Sequence, residues 1–199
     1  MEAFSDGVFT IASTLLVIEL AVPPGSTHLW HAVVEQWPSY LGYLVSFVTI
    51  GALWLAHTGI TEYLHHANLW LMRLNLILML AVAFLPFPTK LLGEYIREGS
   101  TERVATTLYG LSLLMTSALL YLFWRYAVHR GLVRADADEA DVQILTKRLK
   151  PGLVAYVVLI VLGLFVPVAA VIGYLAIALY YLVPLGTARR QFRNRRKQQ

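Results

Sequence analysis

The sequence predicts an all-α integral membrane protein of six transmembrane helices with both termini in the cytoplasm. Three observations predict it. Of 199 residues, 58% are hydrophobic and 14% are charged, whereas a soluble domain carries about 45–50% and about 25%. The chain also divides into apolar runs close to the roughly 20 residues that a spanning helix needs. If those runs cross a bilayer in turn, 13 of the 16 Lys and Arg residues fall on one side, and the basic side is the cytoplasmic one. A soluble enzyme, a nucleic-acid module and a disordered chain are excluded by the same totals. The absence of cysteine excludes disulfides, thiolate metal sites and cysteine nucleophiles.

The first span covers 4–22 and is stopped by Pro23-Pro24-Gly25. It lacks the basic leader and small-residue cleavage site of a signal peptide, so it reads as a retained helix. The second covers 38–57, with Pro38 in the first turn, where proline is tolerated. The third covers 69–87 and is expected to end at Pro86-Phe87-Pro88. The fourth covers 104–126. Between it and the fifth lies a linker, 127–150, whose acids Asp136, Asp138, Glu139 and Asp141 precede its bases Lys147, Arg148 and Lys150. That order complements a helix dipole and predicts a short amphipathic helix. The stretch 152–185 holds two short spans, 152–166 and 167–185, divided at Pro167. Residues 1–187 thus form one transmembrane domain, and 188–199 a basic cytoplasmic tail. Arg189, Arg190, Arg193, Arg195, Arg196 and Lys197 of that tail read as a topology signal and a partner for anionic headgroups, with no nucleic acid involved.

Helix one carries the most information. At about 100° per residue, Phe4, Gly7, Ile11, Thr14, Leu15, Ile18 and Val22 form one stripe, apolar but for a single hydroxyl. Asp6 lies about 140° away from Ile11, with Phe9 and Ser13 on its side. A carboxylate in a span marks a functional site by default, but this one opposes the stripe, so only one of the two faces can line a shared axis. Ser5 and Asp6 on helix one match the depth of Trp54 and His57 on helix two, and of Asn68, Arg73 and Asn75 on helix three. Polar groups so costly in lipid should find one another. The structural reading is a buried network, and the functional reading is a proton relay through Asp6 and His57. His65 and His66 with His57 make a weak metal set, so no metal site and no cofactor is expected. Glu19 either attracts cations or reaches interfacial water.

Other patterns carry no chemistry. Thr49-Ile50-Gly51 continues as Ala52-Leu53 within an unbroken span, so it is no re-entrant carbonyl filter. Asp136, Asp138 and Asp141 lack the glycine and distal glutamate of a calcium loop. No helix carries arginine at every third position, as a voltage sensor would. No nucleophile–base pair or phosphate loop is present, so an enzyme is not expected.

The stretch Phe4-Ser5-Asp6-Gly7-Val8-Phe9-Thr10-Ile11-Ala12, with Thr14-Leu15-Leu16, resembles the first helix of bacterial members of the transmembrane protein 175 family of potassium channels. Leu41-Gly42-Tyr43-Leu44-Val45-Ser46-Phe47 through Trp54 and His57 matches it further, as does Phe84-Leu85-Pro86-Phe87-Pro88-Thr89. The resemblance implies a homotetramer in a bacterial inner membrane, permeable to K+ and with passage of other monovalent cations left open, with the first helix of each subunit lining the pore. It implies hydrophobic rings at Ile11, Leu15 and Ile18, a pore-facing Thr14, and a brace involving Phe4, Ser5, Asp6, Trp54, His57 and Asn75. The arginine this family usually carries four residues before the phenylalanine would fall before Met1. Two other readings stand beside the channel: a proton-permeable channel or transporter using Asp6 and His57, and a non-conducting membrane scaffold.

Overall fold

A computed structural model describes residues 1–20, 29–96 and 100–183, and they are helical almost throughout. The helices are α1 (Glu2–Leu15), which tightens into a 3-10 turn (Leu16–Glu19), α2 (Leu29–Glu35), α3 (Trp37–Glu62), α4 (Leu69–Phe84), α5 (Pro86–Tyr95), α6 (Ser100–His129), α7 (Glu139–Gly163) and α8 (Pro167–Leu182). Among the described residues, three stretches are long and apolar enough to cross a membrane: Trp37–Glu62, Leu69–Tyr95 and Thr101–His129. At 1.5 Å per residue, the 26 residues of α3 run about 39 Å, which exceeds a hydrocarbon core of about 30 Å. α8 is a shorter apolar helix of 16 residues.

Several boundaries differ from those read in the sequence. The third span does not end at Pro86-Phe87-Pro88. Leu85 keeps right-handed helical dihedrals as both the last cap of α4 and the first of α5. Pro86 then enters at the first position of a new helix, where its missing N–H costs nothing, and the chain continues to Tyr95. The linker after α6 is not an isolated amphipathic helix either. α7 begins at Glu139 and runs through Pro151 to Gly163, which merges that helix with the fifth span. Its start is fixed by Asp138, whose carboxylate accepts from the Ala140 N–H at 2.9 Å. The basic tail 188–199 and the stop at Pro23-Pro24-Gly25 lie outside the described residues.

α1 packs on α3 and α4, while α6 lies along α7 and next to α4 and α5. The largest fully buried side chains, Trp124, Tyr109, Tyr156, Tyr174 and Phe123, come from α6, α7 and α8. At the end where α3 finishes and α4 begins, two loops clasp each other. The Gly131 backbone at φ 64° closes α6 in a Schellman turn, with Leu132 N–H on the Ala127 carbonyl and Gly131 N–H on that of Val128. The His65 N–H then binds the Leu132 carbonyl, and the Arg134 N–H binds that of Tyr63, each at 2.9 Å. Asn68 caps α4 by accepting from Leu71 N–H at 2.8 Å, and its amide donates to the Tyr126 hydroxyl at 3.1 Å. These bonds hold the ends of α3, α4 and α6 at one level.

Candidate functional site

α1 presents two unlike faces. Phe9, Ala12 and Leu16 are buried against the rest of the subunit, with Phe9 3% exposed. Ile11 is 60% exposed, Leu15 42% and Ile18 67%. Phe4, Gly7 and Thr14 are exposed with them. These are stripe positions of the helical wheel, and Asp6, Thr10 and Val17 beside the stripe are exposed as well. In the 3-10 turn, side chains three apart eclipse, so the tightening swings Ile18 toward the line of Leu15. The hydroxyls of α1 bind its own backbone: Thr10 to the Asp6 carbonyl at 2.7 Å, Ser13 to that of Phe9 at 2.7 Å, and Thr14 to that of Ile11 at 2.9 Å. With its proton committed inward, Thr14 can offer only oxygen lone pairs to its surroundings.

The buried side of α1 is tied down by polar bonds. The Asn75 amide donates to Ser5 Oγ at 2.9 Å, and the Asn75 carbonyl oxygen meets His57 Nε2 at 2.8 Å. All three residues are at most 2% exposed, so the chain Ser5–Asn75–His57 links α1, α4 and α3 out of contact with water. Because Asn75 Oδ1 can only accept, His57 Nε2 carries the proton in this pair. The His57 ring lies between Phe9 and Phe123, each at 5.6 Å between centroids, which extends the contact to α6. Asp6 stands apart from this chain. Its carboxylate accepts from Trp54 Nε1 at 2.8 Å, and both residues are exposed on the subunit surface.

The residues of the sequence-derived network therefore divide. Ser5, His57 and Asn75 meet in one buried chain, and Asp6 pairs with Trp54 beside it. Phe4 is exposed on the stripe. Asn68 serves as a helix cap, and the Arg73 guanidinium stacks on Trp70 at 4.8 Å. His65 and His66 pack edge to edge at 5.5 Å, and no group of three potential metal ligands occurs among the described residues.

One brace was missed in the sequence. Ser46 Oγ lies 2.7 Å from Thr89 Oγ1 and 2.8 Å from the Tyr109 hydroxyl, joining α3 to α5 and α6. Thr89 donates to the Leu85 carbonyl at 2.8 Å, so Ser46 donates to Thr89, and Tyr109 to Ser46. A signal was available: Ser46 precedes His57 by eleven residues, which puts the two within about 20° on α3.

Three comparisons place this geometry among known proteins. A family model described as the endosomal/lysosomal potassium channel TMEM175 matches residues 1–86. A potassium channel of Streptomyces collinus is 41% identical over 145 residues, covering 70% of each chain. One of Chamaesiphon minutus is 34% identical over 187 residues, covering 91% of each. The chicken protein, described as the endosomal/lysosomal proton channel TMEM175, is 31% identical over 140 residues, which span 28% of its length. Among solved structures, the crystal structure of a lysosomal potassium-selective channel TMEM175 homolog from Chamaesiphon minutus matches with a TM-score of 0.81. That match has 32% identity and covers 90% of this chain and 93% of the other.

Proposed function

The chain belongs to the TMEM175 family of potassium channels, and we propose that it works as a homotetrameric, potassium-permeable channel of a bacterial inner membrane. Each subunit contributes six spans with both termini cytoplasmic, α1 lines the shared axis, and the basic tail 188–199 lies against anionic lipid. The family is one of ion channels, so the chain is not an enzyme.

The exposed stripe of α1 carries this reading. A helix in a membrane protein can turn an apolar face to lipid without further cause, but here the opposite face is bolted to α3 and α4 by Ser5, Phe9 and Asn75. Rotation about the helix axis would break those bonds, so the stripe keeps its aim. Around a fourfold axis, Ile11, Leu15 and Ile18 form stacked apolar rings that open and close by wetting and dewetting. Thr14 supplies the oxygen between them. Discrimination between K+ and Na+ then rests on pore radius and four hydroxyl oxygens, so only modest selectivity is expected.

The test is flux through the purified, reconstituted chain. Vesicles loaded with K+ should lose it faster than they lose Na+, and the protein should run at the mass of four subunits. Protein-dependent flux absent for every monovalent cation would leave the scaffold reading in its place. The vertebrate relatives are described as proton channels, which favours a second permeant ion, the proton. A pH gradient collapsing equally fast with and without K+ would assign the current to protons instead.

A further inference from the structure

Three arginines, two on helices and one in the turn that closes α6, have no role in the pore, and they share one environment. The Arg73 guanidinium lies 4.8 Å above the Trp70 ring, Arg125 lies 5.9 Å from the Tyr121 ring, and Arg130 lies 5.8 Å from the Tyr126 ring. All three are exposed. They sit at the same end of the bundle: Asn68, the cap of α4, bonds to Tyr126 on α6, which sets the first turn of α4 beside the last turns of α6.

None of the three is in an ion pair with a carboxylate among the described residues. Three of the acids at this end of the bundle are engaged elsewhere. Asp136 is held by the Arg134 guanidinium through Nε and Nη2 at 3.0 and 2.6 Å, Asp138 caps α7, and Asp141 accepts from the Tyr63 hydroxyl at 3.4 Å. Beyond Arg73, the outward face of α4 continues with exposed Leu76, Ile77, Leu80 and Phe84. Cations beside aromatic rings, with an apolar strip leading away from them, match a lipid: ring and stem at the interface, guanidinium among the headgroups, acyl chains along the helix.

We propose that Arg73, Arg125 and Arg130 form a belt that binds the phosphodiester headgroups of anionic phospholipids at the ends of α4 and α6. A guanidinium presents paired N–H donors that suit a phosphate. Stacking on an aromatic ring holds each one in place, which lowers the ordering needed when lipid arrives. The belt is separate from the tail beyond residue 188, and it sits on the same helices as Asn75 and Phe123, which brace the pore helix through His57.

The experiment is lipid retention by native mass spectrometry on the full chain, purified in detergent and exposed to equal amounts of phosphatidylglycerol and phosphatidylcholine. The wild type should retain phosphatidylglycerol preferentially. Joint replacement Arg73→Gln, Arg125→Gln and Arg130→Gln should reduce that preference by about tenfold or more, since each basic residue near an anionic surface contributes about 1 kcal/mol. The matching Arg→Lys triple should retain most of it. Arg134→Gln, at an arginine already paired with Asp136, should leave it unchanged. The tail is intact in every variant and contributes equally. A Gln triple that keeps the oligomeric mass and melting temperature of the wild type together with its full preference would overturn the proposal, as would an equal loss in Arg134→Gln.

Discussion

Replacement of Asn75 by alanine tests whether the buried chain holds the pore helix. The side chain makes two bonds, one to Ser5 and one to His57, with all three residues sealed from water. A buried polar group left without a partner costs about 1–3 kcal/mol. Ser5 Oγ keeps its bond to the Met1 carbonyl at 3.2 Å, so its share falls at the low end, while His57 Nε2 loses its acceptor outright. Together these give about 2–4 kcal/mol. For a chain of this size, each kcal/mol shifts the melting temperature by about 2–4 °C, so Asn75→Ala should melt roughly 5–15 °C lower. Intrinsic tryptophan fluorescence of the detergent-solubilised protein reads this directly. In the Asn75→Ala background, Ser5→Ala should cost clearly less than it does in the wild type, because its partner is already gone. A shift under about 1 °C, or strict additivity of the two substitutions, would refute the role given to this chain.

Three further outcomes follow from the same geometry. Ile11→Asn should wet the proposed narrowest ring and raise resting K+ flux from vesicles severalfold, and unchanged flux would remove Ile11 from the constriction. A Cβ at Gly110 would stand 2.1 Å from the Tyr174 hydroxyl and 2.7 Å from Ile160 Cγ1, so Gly110→Ala should lower stability by about 1–3 kcal/mol in a thermal melt, whereas Gly51→Ala, which meets nothing within 4 Å, should not. Arg134 beside Asp136 holds that carboxyl below its ordinary value, chiefly through the hydrogen bonds between them. A depressed pKa contributes stability that is present above the unfolded value and lost as pH falls through the folded one. The protection factors of amides in the 131–138 loop, taken relative to their intrinsic exchange rates, should therefore fall below about pH 4, and Arg134→Gln should remove that dependence.

Much of this was legible because lipid imposes simple rules. Hydropathy located α3, α4, α6 and α8, and the stripe drawn by the wheel of α1 lies within the wider face that the subunit leaves exposed. The two largest boundary differences involve proline. Pro86 starts a helix and Pro151 sits within one, and which of these happens depends on neighbours. α7 persists through Pro151 while its N-terminal half is pinned to α6 by the Trp124 indole donating to Thr146 at 2.8 Å. The polar residues were expected to meet in one network. Their division into Ser5–Asn75–His57 and Asp6–Trp54 depends on the rotation of α3 against α1, and Trp54 and His57 lie three residues apart on nearly one face. Ser46 was overlooked because a lone hydroxyl in an apolar run can bond to its own backbone, and its alignment with His57 on one face of α3 was the single cue against that.

The central claim is that the Ile11 face of α1 lines the ion path, and the absence of native cysteine makes it directly measurable. Single cysteines at Ile11, Thr14, Leu15 and Ile18, and at Phe9, Ala12 and Leu16 as the opposite face, need no prior removal of other thiols. Flux should be blocked by a charged, water-soluble thiol reagent at the first four positions and unaffected at the last three. Block at Phe9 or Ala12 with none at Ile11 or Leu15 would contradict the account.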